Sequence, residues 1–342
     1  MTLTIRPAAL AEDAQGIVKL LAAHVNPRYD AARFDWAYRL NPDGFGRAWA
    51  AVEASTGEIV GVAGAVPRRV YVGADEQAAW VLADFCFAER YRALGPALRL
   101  QRACLEAAAE AGVSFCYDFP AVRMMPIYQR LHAKPIGHLR RLVRLLRIDE
   151  KLRALGLPSF LATPLGAAGN LILAGGVAAG DRRRRLEIAL HPGPCGEEFS
   201  VLDVESLDGS ATRIRRSAEY LNWRFLANPF RGHEIMTARQ DGRLAGYLVL
   251  AGDAGACSIV DLSPSPRPVI RALVAAAVRL AHRRGASAIT ASVLDFHPAA
   301  AILAELGFRA REASPVIVCA GPGASARLEH TAWFFTEGDR DG

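Results

Sequence analysis

Lysine is nearly missing from this 342-residue chain: only Lys19, Lys134 and Lys151 occur, and arginine carries almost all of the positive charge. The formal charge is +6. An arginine skew beside heavy alanine use reads as a GC-rich composition, and no nucleic-acid partner is expected. The dense run Arg182–Arg185 reads as a solvated turn, with a phosphate or anionic-lipid contact as its sharper alternative. None of the six cysteines (Cys86, Cys104, Cys116, Cys195, Cys257, Cys319) forms a C-x-x-C pair, which argues against a zinc site, and no metal is expected. Cys86 and Cys116 sit in apolar runs and read as buried thiols. P-loop, H-E-x-x-H and G-x-S-x-G patterns are all lacking, so nucleotide hydrolysis, zinc proteolysis and serine hydrolysis have no support. No secretory signal precedes the first strand-like segment, Thr2–Arg6; with unpaired cysteines, a reducing cytoplasm is expected.

Hydrophobic residues make up 51% and charged residues 22%, enough for two cores of ordinary globular type. One uncharged stretch, Gly156–Gly180, has the length of a bilayer span but contains Pro158, Pro164 and several glycines. It reads as interdomain helices packed on protein, with membrane contact as the alternative.

What is present is a repeat. Phe34–Pro42 (FDWAYRLNP) resembles Leu221–Pro229 (LNWRFLANP), with Trp36 and Trp223 at the same place 187 residues apart. Gly57–Val62 matches Gly242–Tyr247 as a turn entering an apolar strand. Val81–Phe85 matches Ser258–Leu262, placing Asp84 and Asp261 at one point of an apolar strand. Leu98–Gly112 and Val269–Gly285 are Ala/Leu-rich helices stopped by glycine. Tyr128–Ala133 matches Leu303–Phe308. Five matches in one order predict two copies of an α/β (α+β) unit: residues 1–147, an insert over 148–198, and residues 199–342. The run Trp333–Thr336 reads as a closing strand, Trp36 and Trp223 as core anchors, and His297 as a residue preceding or capping a helix.

After its Asp, the first copy continues Phe87-Ala-Glu-Arg-Tyr-Arg92-Ala93-Leu94-Gly95-Pro96-Ala97 into the long helix. A helix N-terminus offers free N–H groups and a positive dipole end to an anion. Gly95 and Ala97 are small enough for close backbone approach, and Pro96 suits a helix start, where its missing N–H would be unpaired. Arg92, Gly95 and Ala97 stand where the GNAT (GCN5-related N-acetyltransferase) signature Q/R-x-x-G-x-G/A has its fixed positions, and the chain resembles a tandem protein of that superfamily. The second copy has Pro264, Pro266 and Pro268 there and no glycine, poor material for an amide cradle.

The resemblance implies two mixed-sheet GNAT-like domains and an acyl-CoA donor, acetyl-CoA by expectation, held by the first only. Phe85, Cys86, Phe87, Arg92, Ala93, Leu94, Gly95, Pro96 and Ala97 are the implied donor-binding residues. It implies N-acylation of a small-molecule amine in a cleft between domains, with Tyr128 as general acid to the thiolate and Asp84 as base. Asp261 lies at the matching place; were the copies packed face to face, both carboxylates would line one cleft. His132-Ala133 replaces the family's Gly-Phe, and Pro96 removes one donor. Two other readings stand beside it: a FemAB-like transferase using aminoacyl-tRNA, and a non-catalytic acyl-CoA sensor. A monomer or homodimer is expected.

Overall fold

In this computed structural model, residues 2–147, 186–252, 255–321, 328 and 331–341 are described. The uncharged Gly156–Gly180 stretch and Arg182–Arg185 lie outside them. No described helix is long and apolar enough to cross a membrane.

The first repeat runs β1 (Leu3–Pro7), α1 (Ala14–His24), α2 (Ala31–Tyr38), β2 (Arg47–Glu53), β3 (Ile59–Val72), β4 (Asp75–Phe87), α3 (Leu94–Glu110), β5 (Phe115–Asp118), α4 (Met125–Arg130) and β6 (Lys134–Leu145). The second runs β7 (Leu186–Leu190), α5 (Glu197–Glu205), β8 (Ala211–Ile214), α6 (Ala218–Leu221), β9 (His233–Gln240), β10 (Arg243–Gly252), β11 (Ala256–Leu262), α7 (Arg267–Arg283), β12 (Ala288–Leu294), α8 (Ala299–Glu305), β13 (Arg309–Ala320) and β14 (Ala332–Trp333). The closing strand is shorter than its aromatic run suggests. Beyond Trp333 only single contacts reach β12, such as the Thr336 bridge to Val293.

The fourteen strands form one sheet, ordered β1-β2-β3-β4-β5-β13-β6-β12-β11-β10-β9-β7, with β8 joining β3 to β14. Read from either end, that order is the same fold twice. β6, from the first repeat, pairs with β12, and β13, from the second, pairs with β5; the two also pair with each other. The first repeat therefore lends β6, and the second β13, to the other's sheet.

The two long helices follow from sequence period. α3 buries Ala97, Leu100, Cys104 and Ala108, spaced three and four apart, which is one face of a 3.6-residue helix. α7 buries Leu273, Val274, Ala277, Val278 and Ala281 in the same way. Each ends before a glycine with positive φ, Gly112 at 68° and Gly285 at 83°, the left-handed stop that a Cβ would oppose. Each connects two parallel strands, β4 to β5 and β11 to β12.

Candidate functional site

The site begins at a break in the sheet. β5 pairs with β4 only over Ala79–Val81, after which the two strands part. On its other edge β4 steps register against β3, from Gly64↔Ala83 to Val62↔Cys86. Asp84 and Phe85 thus oppose the single residue Ala63, a β-bulge. Asp84 sits at φ 52°, where aspartate is tolerated better than most residues because its short side chain bonds locally. The bulge turns the carboxylate out of the sheet toward α2. Tyr29 and Tyr38 both donate their hydroxyls to its Oδ2, at 2.7 and 2.8 Å. Burial raises the Asp84 pKa, opposed by the nearby Arg33 charge and the Tyr29 hydrogen bond.

A second carboxylate, missed in the sequence, faces the split from β5. Asp118 ends the apolar strand Phe115-Cys116-Tyr117, and Tyr128 on α4 donates its hydroxyl to Asp118 Oδ2. Burial pushes Asp118 up to about 7, with the Tyr128 hydrogen bond acting against it. Tyr128 is 1% exposed, and burial with the Asp118 charge holds its phenol well above the ordinary value. Its signal in the sequence is an acid closing an apolar run ten residues before a tyrosine. The two carboxylates approach from opposite faces of the sheet. Tyr29, Tyr38, Ala83 and Cys86 belong to the core shared with the second repeat, whereas Tyr128 packs with Ala97, Leu100 and Cys104 beneath α3.

The α3 mouth closes the α3 side. Ala93, its cap residue, offers no side-chain cap, and Arg92 through Gly95 are exposed. The first intrahelical bond runs from Ala97 N–H to Ala93, so the Leu94 and Gly95 amides precede the ladder and Pro96 has none to offer. A Cβ built on Gly95 would meet no atom within 4 Å. Nothing in the described protein therefore requires glycine there, although glycine in a helix costs up to about 1 kcal/mol relative to alanine. Arg92 Nε turns back to the Phe87 carbonyl at 3.1 Å, which fixes this loop to the end of β4. Phe87 is buried with its ring against Gly61, where a Cβ would lie 2.4 Å from it; Phe85 is half-buried at 6.0 Å, ring to ring. Cys86 is buried and its thiol is pushed up to about 11, so it is an inert thiol.

The segment Glu337–Asp341 lies between the repeats. Arg224 donates to the carbonyls of Gly338 and Arg340, and Arg33 donates to that of Asp341 at 2.7 Å. Arg33 also stacks on Trp36, 4.5 Å from the ring centroid. The negative charge of Asp341 raises the pKa of both Asp84 and Asp118, so this segment belongs to the electrostatics of the site.

In the second repeat the matching aspartate is spent on structure. Asp261 is 0% exposed; Arg216 donates Nε and Nη2 to its two oxygens at 2.9 Å, and Thr336 adds a hydroxyl. Arg216 also bonds Asp339 at 2.7 Å. The two aspartates do not line one cleft: Asp84 opens on the split and Asp261 is sealed in an ion-pair network. His297 precedes α8 as expected, its Nδ1 accepting from Ala299 N–H, and burial pushes it down to about 4. A cavity of about 1440 Å³ opens in this repeat, lined in part by Ser263, Pro264, Pro266, Val269, His297 and Phe334. Three of the loop residues there are prolines, which have no N–H to donate. Among the described residues, no group of three or more His, Cys, Asp or Glu side chains is placed to hold a metal.

No family model and no curated protein matches the sequence. Solved structures do match in fold. A GCN5-related N-acetyltransferase from Anabaena variabilis ATCC 29413 superposes with a TM-score of 0.67 at 13% identity, over 93% of this chain and 72% of that one. One from Kribbella flavida gives 0.61 at 16% identity, over 93% and 71%. A tandem GNAT protein from the clavulanic acid biosynthesis pathway gives 0.56 at 16% identity, over 94% of this chain and 100% of that one. With the palindromic strand order, the bulge at Asp84 and the split between β4 and β5, these likenesses establish that the chain has the tandem GCN5-related N-acetyltransferase fold.

Proposed function

We propose that the chain is an acyl-CoA-dependent N-acyltransferase whose donor, acetyl-CoA or another acyl-CoA, binds in the first repeat and whose acceptor is a small polar amine. The observation that carries this reading is the uncapped α3 mouth beside the split of β4 and β5, with a glycine at position 95 that the protein's own packing does not require. Leu94 and Gly95 amides and the dipole of a seventeen-residue helix suit a diphosphate. The parted strand edge at Phe85–Phe87 leaves backbone groups for an extended pantetheine arm and the thioester carbonyl. Residues 1–147 hold the donor, and the second repeat, from β7 onward, walls the acceptor side.

Asp84 takes the ammonium or amine proton, directly or through water. Burial raises its pKa, which strengthens it as a base, and two tyrosine hydroxyls hold one of its oxygens. Tyr128 faces the donor side and protonates the leaving sulfur. The proline-rich loop after Asp261 offers no comparable amides, so one donor binds per chain.

Calorimetry with acetyl-CoA tests the binding step: a 1:1 stoichiometry supports it, and two equivalent sites per chain contradict it. Thiol release over a panel of amines tests the chemistry. A chain that binds CoA and releases no thiol is a sensor, and one stabilised by aminoacyl-tRNA and not by CoA is a FemAB-like transferase.

A further inference from the structure

The acid side of this reaction has a difficulty that Tyr128 alone does not solve. Its phenol is 1% exposed and held well above its ordinary value by burial and by Asp118. A thiol has a pKa of about 8.5, so a phenol above about 10 gives its proton to a thiolate uphill. Moreover, the Tyr128 O–H is committed to Asp118 Oδ2 whenever Asp118 is ionised.

We infer that Asp118 is a positioning residue acting through Tyr128: in its acid form it donates to the phenol oxygen, turns the phenol proton toward the departing sulfur, and replaces that proton as it leaves. The inference rests on the acyl-transfer reading. The geometry is a carboxyl at the end of β5, at the split, bonded to the one tyrosine of α4 and packed beneath α3. The acid is matched to its task, since burial brings Asp118 to about 7, below the thiol. The charged and titratable groups around it are Tyr128 on α4, Cys104 on α3, Cys319 on β13, and Arg340 and Asp341. Of these, burial holds both thiols high and neutral, and Arg340 and Asp341 oppose each other in sign.

The step balances. The acceptor nitrogen forms a C–N bond to the acyl carbon, the C–S bond breaks, and the electron pair stays on sulfur. The nitrogen's proton goes to Asp84; sulfur takes the phenol proton, and Tyr128 takes one from Asp118. Asp84 ends protonated and Asp118 ionised, and exchange with solvent resets both.

The test is the pH profile of kcat for thiol release from acetyl-CoA, from pH 5.5 to 9, in wild type, Asp118→Asn, Asp118→Glu and Tyr128→Phe. Asparagine keeps an oxygen for the Tyr128 hydroxyl but has no acid proton. Expected are a wild-type kcat that falls above neutral pH, an Asp118→Asn kcat about 100-fold lower at pH 6.5 with that fall abolished, and its return in Asp118→Glu. KM for acetyl-CoA should stay within about threefold, because removing a transition-state proton supply leaves ground-state binding intact. A wild-type profile level through pH 9, or an Asp118→Asn profile that keeps the fall, overturns the inference while leaving acyl transfer standing. The wild-type profile decides even if a variant does not fold. A wild type that releases no thiol with any amine overturns both together.

Discussion

Trp36 and Trp223 hold each other reciprocally: each indole Nε1 donates to the other's backbone carbonyl at 2.8 Å, and the rings stack at 4.8 Å and 17°. Such mutual bonding is what a two-fold relation between repeats produces, and the pair sits on that pseudo-axis. At 3% and 6% exposed they are core anchors between the halves. Trp36→Ala removes a buried ring and orphans one hydrogen-bonding group, the Trp223 carbonyl. It should cost about 3–5 kcal/mol, as large-to-small changes at packed aromatics do. Urea unfolding followed by fluorescence measures it. Because β6 and β13 are exchanged, the loss should appear as one shifted transition; two separated transitions would show that the repeats fold independently.

The same 187-residue offset that relates the tryptophans relates Tyr29 to Arg216. Each meets the aspartate of its own repeat, a hydroxyl on Asp84 and a guanidinium on Asp261. One substitution within a shared scaffold thus separates a partly exposed carboxylate from a sealed ion pair. Arg216→Met should strand Asp261 and Asp339 and cost about 3–5 kcal/mol in denaturant unfolding. Asp84→Asn removes no ion partner and keeps an acceptor for Tyr29. Its melting temperature should move little, while thiol release falls by about 100-fold or more; an unchanged rate clears Asp84 of the base role.

Gly95→Ala separates stability from binding. With no atom within 4 Å of the new methyl, the folded protein should be unharmed or gain up to about 1 kcal/mol of helix stability. If backbone approach at Gly95 is what admits the diphosphate, calorimetric affinity for CoA should drop at least tenfold. Equal affinity in both proteins would remove the α3 mouth from the site.

Much of this was legible in the sequence, and the reasons for the remainder are physical. The Trp-to-Asn spacing, the glycine-stopped helices and the paired aspartates are local patterns, and periodicity reports local structure. The exchange of β6 and β13 is not local. Lys134–Leu145 mixes apolar and charged residues without a clean alternation, and nothing in its own residues says whether β5 or β12 will be its neighbour. The fate of Asp261 was hidden in the same way. Its partner Arg216 lies 45 residues away, and only the repeat offset pointing back to Tyr29 marks the contrast. Asp118 was overlooked because a carboxylate at a strand end is ordinary. What makes it unusual is Tyr128 arriving from α4, a contact fixed by packing beneath α3.

Asp118 also leaves a signature in stability that needs no substrate. Its ordinary pKa of 3.8 is raised to about 7 in the folded protein, so between those values the folded chain holds a proton that the unfolded chain has released. Stability from this group is therefore full below about pH 4, declines as pH rises toward 7, and is flat above. Two half-buried imidazoles, His233 and His297, both pushed down to about 4, act in the opposite sense over the same range, since unfolding lets them take up protons. A wild-type curve mixes these contributions; a difference curve does not. Asparagine at 118 never ionises, so Asp118→Asn should gain stability relative to wild type as pH rises from 5 to 7.5, then run parallel to it. Chemical denaturation at a series of pH values measures this. A difference that is constant with pH would mean that Asp118 is already ionised in the folded state at pH 5, and that its burial at the split costs the protein nothing.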